Sequence, residues 1–373
     1  MSSITESYIT QYKRTNKKRD RYEFNEKTEA VGSGVYGTVF IATDRETGQR
    51  VAIKKHKQKD QDEFGLMIPT LRECQILQSM NHPNIIHVTD FFMTNCLGLM
   101  NLSLVVSDSR KDFPDLYMTL FPNENCEFDL FHLIHRKKVK FNQEEIKCIM
   151  FQVFNGLKYL HERKVLHRDI KDANILITKS GQVKICDFGL ARFYLKDDGN
   201  TPYSGDKITL NYRPPEVLLS ETYYTSKIDI WSAGVVFVNM IMHCLYINGR
   251  SEREVLDRIF TLCGSPKGDD LHYLRTLPGF NTYFSDNKIS SKIFTGDSKP
   301  RRIKTVFRDA SKELVDVLDR IFQYNPSNRI SAEEVLRMPY FANVDFDSLK
   351  KCILIKIVIY RRFEFATAPE GGD

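Results

Sequence analysis

Short runs rich in β-branched and aromatic residues, separated by glycine-containing turns, mark the first third of the chain. They occupy Ala30–Phe40, Val51–Lys54 and Leu116–Phe121, and each predicts a β-strand or a strand pair. The segment Pro69–Leu77 has apolar residues at helical spacing instead. The pattern therefore predicts a small β-rich region that contains a helix.

Helical spacing dominates the remaining two thirds. Asp129–Ile134 predicts an amphipathic segment, Gln143–Arg163 a long buried helix, and Asp229–Gly234 the start of a strongly apolar one. Ser331 precedes another helix, with Glu334 at the capping-box position. We expect a mainly helical region after the β-rich one.

The size and composition are those of a globular protein. The chain has 373 residues, 42% of them hydrophobic, which suffices for one large domain or two smaller lobes. Its net charge of +6 permits acidic partners but does not predict nucleic-acid binding. The eight cysteines form no C-x-x-C pair, so neither a zinc ribbon nor a dithiol motif is indicated.

Neither end of the sequence predicts a membrane segment. The first residues lack a basic-then-apolar signal sequence. Cys352–Tyr360 is interrupted by Lys356 and is too short to span a bilayer. We therefore expect an intracellular protein in which Cys148 and Cys186 are small core residues. The basic tail at 1–23 is interpreted as solvated, and the alternative is a patch for nuclear import or for an acidic partner.

The stretch Val165–Arg192 carries the clearest chemistry. It contains His167-Arg168-Asp169, then Lys171 and Asn174, and finally Asp187-Phe188-Gly189. This order and spacing resemble the catalytic and magnesium-binding loops of protein kinases.

A glycine-rich turn further upstream supports the resemblance. Gly32, Gly34 and Gly37 let the backbone approach phosphate oxygens closely. Rossmann enzymes share this pattern, but they need a helix to begin at Gly37, whereas here a strand is predicted, with Val39 at the kinase spacing. We reject the Rossmann alternative.

The resemblance covers about residues 24–341 and implies an α+β fold with two lobes. It divides the chain into a polar basic tail at 1–23, a small β-rich lobe at 24–122, a large helical lobe at 123–341, and a tail of unassigned role at 342–373. An insertion at 96–115 is also unassigned.

The resemblance implies a role for each motif residue. Asp169 would receive or orient the proton of a substrate hydroxyl, and Lys171 would neutralise charge on the γ-phosphate. Asn174 and Asp187 would hold Mg²⁺ through oxygen ligands. A lysine at the offset of Lys171 is typical of the serine/threonine class.

The family's ATP site implies a larger set of nucleotide-binding residues here. Lys54 would contact the phosphates and be held by Glu73, while Phe121 and Asn123 would bind the base. The full set is Val31, Gly32, Ser33, Gly34, Val35, Tyr36, Gly37, Val39, Ala52, Lys54, Glu73, Leu120, Phe121, Asn123, Asp129 and Leu176.

The motif Tyr212-Arg213-Pro214-Pro215-Glu216 resembles the branch that contains cyclin-dependent and mitogen-activated kinases. Its arginine implies substrates with Ser/Thr-Pro. Mitogen-activated kinases carry Thr-x-Tyr upstream, where this chain has Ser204, Gly205 and Asp206. The absence of that tyrosine favours the cyclin-dependent kinases.

The resemblance also implies a structural contact. Glu216 and Arg329 match two residues that form a buried ion pair in kinases.

Regulation is also implied by the resemblance. Ser204 lies where cyclin-dependent kinases are phosphorylated, and Arg72, Arg168 and Arg192 occupy the positions that receive the phosphate. Tyr36 is a second candidate phosphorylation site.

These features imply a cyclin-like partner that binds at Leu66–Glu73, and a nuclear location, with a cytoplasmic one left open. Substrates would include the RNA polymerase II tail or cell-cycle proteins, and neither nucleic acid nor a membrane is expected as a direct partner. The alternatives are a mitogen-activated-type kinase and a cyclin-binding pseudokinase scaffold.

Two residues depart from the family pattern. Asp172 replaces the usual proline after the loop lysine, and we expect no effect on the chemistry. Asn211 replaces the usual aromatic residue, which puts the geometry of the substrate loop in question.

Overall fold

The computed structural model describes residues 20–26, 30–33, 37–56, 68–94, 115–120, 126–178, 180–194, 202–203, 208–284, 299–344 and 346. They divide into two compact units. Unit 1 draws on Met1–His82 and Ile86–Asn125, and unit 2 on Pro83–Ile85 and Cys126–Asp373. Within these ranges, no helix is long and apolar enough to cross a membrane.

Several predictions fall outside the described residues. They concern the turn at 34–36, nearly all of the insertion at 96–115, Phe121, Asn123, Ser204 and the apolar segment Cys352–Tyr360.

Unit 1 is built on an antiparallel sheet with strand order β1-β3-β4-β6-β5, and β2 pairs with β3. The strands are β1 (Tyr22–Glu23), β2 (Ala30–Ser33), β3 (Gly37–Asp44), β4 (Arg50–His56), β5 (Val88–Thr94) and β6 (Asp115–Leu120). One helix of this unit, α1, spans Ile68–Gln78. The predicted strands and helix are confirmed here.

Stacked aromatic rings fill the core of unit 1. Phe92 lies between Tyr22 and Tyr117, with ring centroids 5.5 and 5.0 Å away. Val51 and Ile53 are two positions apart on β4, so both point to the same buried side. Alternation along β4 therefore leaves Ala52 and Lys54 on the opposite face.

Unit 2 contains most of the helices. They are α2 (Gln143–Glu162), α3 (Pro215–Leu218), α4 (Lys227–Met242), α5 (Glu252–Cys263), α6 (Gly268–Arg275), α7 (Phe280–Phe284), α8 (Ile303–Val306), α9 (Lys312–Ile321) and α10 (Ala332–Leu336). A π-helix covers His132–Arg136, and short 3₁₀ helices cover Asp172–Asn174, Leu210–Tyr212 and Pro339–Phe341.

Short strands in unit 2 carry the motif residues. They are β7 (Cys126–Asp129), β8 (Val165–Leu166), β9 (Ile175–Thr178), β10 (Val183–Ile185) and β11 (Arg192–Phe193). One sheet has the order β10-β9-β7, and β11 pairs with β8.

Helix α4 lies at the centre of unit 2. Every residue from Ile228 to Met240 is buried, as expected of a helix that is apolar on all sides. Helix α2 begins with a capping box formed by Asn142 and Glu145 and buries its apolar face. Both helices agree with the predictions to within a few residues.

Two local predictions need correction. Phe128 and Asp129 belong to β7 and pair with Ile177 and Leu176, so the helical segment begins only after them. Strand pairing overrides the helical spacing of this short segment. Cys186 is half-buried, unlike the fully buried Cys148.

Two predicted interactions are confirmed. Ser331 and Glu334 form the capping box that opens α10. The Arg329 guanidinium binds both carboxylate oxygens of Glu216, at 2.8 and 3.0 Å, and both side chains are buried.

Candidate active site

Sheet register brings four predicted nucleotide-binding residues of unit 1 to one face. Val39 pairs with Lys54, and Ala52 pairs with Leu120. Directly paired residues project from the same side of a sheet, as do residues two apart on one strand. The four side chains therefore share a face, opposite the aromatic core of unit 1.

Lys54 is held on this face by Glu73 of α1. Its Nζ lies 2.7 Å from Glu73 Oε1, and both side chains are largely buried. The predicted contact is present. A buried charge needs a close partner of opposite sign, and Glu73 supplies it for Lys54.

Gly37, the last glycine of the turn, is required by packing. A Cβ at this position would lie 2.6 Å from Lys55 O and 3.3 Å from Lys54 Cγ. Any side chain would push β3 away from β4 and displace the stem of Lys54. This glycine therefore supports the position of the lysine.

Asp169 is the centre of a hydrogen-bond network in unit 2. Its Oδ2 accepts from Lys171 Nζ at 2.6 Å and from Asn174 Nδ2 at 3.0 Å, and Asn174 Nδ2 also donates to Asp169 O at 2.8 Å. The carboxylate is only 4% exposed. The structure thus brings three motif residues together around one acid.

Thr209 completes this network and was not predicted as a site residue. Its hydroxyl donates to Asp169 Oδ1 at 2.6 Å and accepts from Lys171 Nζ at 3.2 Å. Its position just before Tyr212-Arg213-Pro214 is the only sequence signal for it. A threonine between two motifs gives no local pattern that would select it.

His167 supports the backbone under Asp169. The Asp169 N–H donates to His167 Nδ1 at 3.2 Å, and His167 Nε2 lies 3.0 Å from Cys186 O. Nδ1 must therefore be unprotonated and Nε2 must carry the hydrogen. Complete burial lowers the pKa of His167, although the charges of Asp229 and Asp169 oppose the shift.

Asp229 of α4 holds the backbone of the loop that contains Asp169. Its Oδ2 accepts from His167 N at 3.0 Å and its Oδ1 from Arg168 N at 2.9 Å. Burial opposes ionisation of this carboxyl, but the hydrogen bond from His161 and the neighbouring donors outweigh it and lower its pKa. Arg168 has a left-handed backbone, with φ of 69°, which these two bonds hold in place.

The donor set for a divalent metal ion is small. Asn174 donates its side-chain nitrogen to Asp169, and its side-chain oxygen is the atom that a metal ion would contact. The backbone N–H of Cys186, the residue before Asp187, donates to the backbone oxygen of Asn174 at 3.0 Å. Magnesium is commonly bound by one or two protein oxygens together with phosphates and water. Among the described residues no cluster of three or more His, Cys, Asp or Glu could hold a metal by itself.

Two further predicted residues meet across β7 and β9. Asp129 pairs directly with Leu176, so their side chains lie on one face of this sheet. Asp129 Oδ1 also accepts from His132 N at 2.7 Å and caps the start of the π-helix. The described structure thus places these two residues together.

The protein kinase domain family matches residues 25–341. The chain belongs to this family. This chain is 35% identical over 317 residues to "Cyclin-dependent kinase C-2" of Arabidopsis thaliana, and the match covers 85% of this chain and 58% of the relative. It is 34% identical over 325 residues to "Cyclin-dependent kinase 12" of Drosophila melanogaster, covering 86% of this chain and 26% of the relative. It therefore spans just over half of the first relative and about a quarter of the second.

A solved structure agrees with this assignment. The yeast RNA Pol II CTD kinase CTDK-1 complex contains a chain that matches with a TM-score of 0.69 and 28% identity, covering 86% of this chain and 92% of that one. The two-lobed protein kinase fold and the resemblance to cyclin-dependent kinases are confirmed. Membership of the family implies the use of ATP and a divalent metal ion.

Two of the three predicted phosphate-receptor arginines, Arg168 and Arg192, belong to unit 2 and repel each other electrostatically. The Arg168 guanidinium is 5.7 Å from the Tyr203 ring and 5.8 Å from the Tyr224 ring. Burial, followed by the charge of Arg168, lowers the pKa of Arg192. Two cations that repel each other favour an anion nearby. The third arginine, Arg72, belongs to α1 of unit 1.

The segment after Thr209 is fixed by polar contacts. Arg213 Nε donates to Ile208 O at 2.6 Å, and its Nη1 lies 2.6 Å from Glu252 Oε1. Asn211, which replaces the family's aromatic residue, accepts from Gly249 N at 3.0 Å through its Oδ1. Asn211 therefore links this segment to the one before α5 by a hydrogen bond.

Proposed function

We propose that the chain is an ATP- and Mg²⁺-dependent serine/threonine protein kinase of the cyclin-dependent type. The observation that carries the proposal is the Asp169 carboxylate, which Lys171, Asn174 and Thr209 hold in place. A fixed, largely buried carboxylate beside a lysine suits the transfer of a phosphoryl group to a hydroxyl.

Each motif residue has its own role in the proposed phosphoryl transfer. ATP would supply the phosphoryl group, and a bound Mg²⁺ would offset the negative charge of the phosphates. Asp169 orients the substrate hydroxyl and takes its proton while the oxygen–phosphorus bond to that hydroxyl forms and the bond to the leaving ADP breaks. Lys171 stabilises the negative charge of the transferred group, Lys54 contacts the nucleotide phosphates, and Asn174 and Asp187 supply the metal ligands.

Substrates are proposed to carry proline after the serine or threonine. Arg213 is occupied by Ile208 O and Glu252, so it shapes the backbone of the substrate loop rather than offering a charge to the peptide. A proline lacks the N–H that other residues would need to satisfy. The RNA polymerase II tail is the proposed substrate class, because the structurally similar chain belongs to the yeast RNA Pol II CTD kinase CTDK-1 complex.

A cyclin-like partner is proposed to bind at α1. Leu71 on this helix is 49% exposed, whereas Glu73, two residues later and so on nearly the opposite side of the helix, is buried. The matched relatives are named as cyclin-dependent. A partner that covers Leu71 would fix the helix that holds Lys54. A nuclear location is proposed because the proposed substrate is the RNA polymerase II tail.

Phosphorylation of Ser204 is proposed as the activating event. Arg168 and Arg192 gather two positive charges around Tyr203 and Tyr224. A phosphate brings nearly two negative charges. It would relieve the repulsion between the arginines and stabilise the segment that leads to Thr209.

The test is affinity purification of the full chain, identification of the bound protein, and phosphate transfer from ATP to a peptide with repeated Ser-Pro. We expect a cyclin-like protein to co-purify, and transfer to fall when Ser204 is replaced by Ala. Transfer without such a partner, after treatment by an upstream dual-specificity kinase, would instead indicate the mitogen-activated type. A bound partner with no transfer would indicate a scaffold.

A further inference from the structure

Asp172 is a fully buried carboxylate inside the catalytic loop. It directly follows Lys171, in the position where the family usually has proline, and it has no exposed surface. Burying a charge without hydrogen-bond donors is unfavourable by several kcal/mol as an order of magnitude. The surroundings of this side chain must therefore supply donors.

Two donors from different elements meet on one oxygen of Asp172. His135 Nε2 of the π-helix lies 2.8 Å from Oδ2, and Asn239 Nδ2 of α4 lies 3.0 Å from the same atom. Asn239 is itself fully buried. Its Oδ1 accepts from Tyr246 N at 3.0 Å, which sets the amide orientation and turns the nitrogen toward Asp172.

Helix α4 thus holds the catalytic loop at two points. Asp229 near its start binds the backbone of His167 and Arg168, ahead of Asp169. Asn239, ten residues later, binds Asp172, behind Lys171. Ten residues of α-helix span about 15 Å, and the segment that contains Asp169 and Lys171 lies between the two attachment points.

The second attachment compensates for the missing proline. A proline fixes φ near −65° through its ring, and an aspartate does not. Here the side-chain contacts of Asp172 restrain the start of the 3₁₀ helix Asp172–Asn174. That short helix leads to Asn174, which binds Asp169 and carries the proposed metal ligand.

We propose that Asp172 is a positioning residue for phosphoryl transfer, acting through His135 and Asn239 to hold Lys171 and Asn174 against Asp169. The inference rests on the proposed kinase activity. It replaces the expectation that the loss of proline is neutral. Asp172 touches neither substrate nor metal in this account, and its effect passes through its two neighbours in the loop.

The test compares two substitutions of Asp172 in the full chain with its partner bound. Asp172→Ala leaves the buried Asn239 amide and the partly buried His135 ring without their acceptor, and we expect kcat to fall about 10- to 100-fold while KM for ATP changes by less than about threefold. Asp172→Asn retains an oxygen that can accept from both donors, so it should keep kcat within about threefold of the parent.

Tyr283→Phe is the matched control in the same unit. It removes a hydroxyl that donates to Asp257 Oδ1 at 2.7 Å, and kcat should not change. The proposal is overturned if Asp172→Ala retains the parental kcat, if it loses no more than the control, or if Asp172→Asn loses as much as Asp172→Ala.

Hydrogen exchange separates this inference from the proposed activity. The Asn174 amide donates to Lys171 O at 2.9 Å and the Cys186 amide donates to Asn174 O at 3.0 Å. Both should exchange faster in Asp172→Ala than in the parent or in Tyr283→Phe. A parent chain that transfers no phosphate would refute the activity alone, whereas unchanged exchange would refute the positioning role.

Discussion

Thr209 donates its hydroxyl hydrogen to Asp169 Oδ1 across 2.6 Å, although forty residues separate them in the chain. The same hydroxyl oxygen accepts from Lys171 Nζ at 3.2 Å. The segment that precedes the Tyr212-Arg213 motif is therefore tied directly to the proposed catalytic acid and its lysine. A displacement of that segment would therefore alter the positions of Asp169 and Lys171 through the Thr209 hydroxyl.

Removal of this hydroxyl should impair transfer. Thr209→Ala leaves Asp169 with one fewer donor and lets Lys171 move, so we expect kcat to fall about tenfold or more. Thr209→Ser keeps the hydroxyl and should retain most of the activity. Steady-state kinetics with a Ser-Pro peptide provide the measurement, and an alanine variant as fast as the serine variant would contradict this role.

The Lys54–Glu73 pair should govern ATP use. Glu73→Gln keeps the shape but removes the charge that holds the buried ammonium, and we expect kcat/KM for ATP to drop about tenfold or more. Glu26→Gln is the control, because Glu26 pairs with the adjacent Lys55 at 2.9 Å in a more exposed setting. Equal effects of the two variants on ATP kinetics would show that Lys54 has no special role.

The sequence predicted the parts of this site that lie within local motifs. The order of Asp169, Lys171, Asn174 and Asp187 was sufficient to indicate the protein kinase family, and the strand predicted at Val51–Lys54 is present within the longer β4. Thr209 and Asn239 could not be predicted, because their importance comes from side chains that the fold brings to them from 40 and 67 residues away. The strand at Asp129 was missed because its pairing with Leu176 outweighs the helical spacing of a short segment.

The buried pair Glu216–Arg329 should contribute strongly to stability. Glu216→Ala leaves a guanidinium buried without its carboxylate, and we expect the free energy of unfolding to fall by about 3–5 kcal/mol. Urea unfolding followed by circular dichroism measures this change. Arg337→Ala is the control, since its pair with Glu333 is exposed at 73% and 47% and should cost at most about 1 kcal/mol. Similar losses in both variants would contradict the assignment.

Burial of neutral His167 should make stability depend on pH. Its pKa is lowered below the ordinary value of 6.5 in the folded chain, so below that pH the unfolded state binds a proton that the folded state does not. The stabilisation is therefore present above pH 6.5 and is lost as the pH falls, by at most about 1.4 kcal/mol per unit.

The measurement is the free energy of unfolding in urea from about pH 7.5 down to about pH 5.5, across the unperturbed range of histidine. His167→Gln carries no titrating ring and should lose less stability over this interval than the parent chain. Identical pH slopes in the two proteins would show that His167 takes up its proton equally in both states.

Phosphate transfer by Asp169→Asn is the decisive test of the proposed catalytic role of Asp169. The variant keeps the size of the side chain but cannot take the proton of a substrate hydroxyl. The partner-bound parent should transfer radiolabel from γ-labelled ATP to a Ser-Pro peptide, and the variant should bind ATP with similar affinity while transferring at least about a hundredfold more slowly. Equal rates of transfer by the parent and the variant would contradict the role of Asp169 and the mechanism built on it.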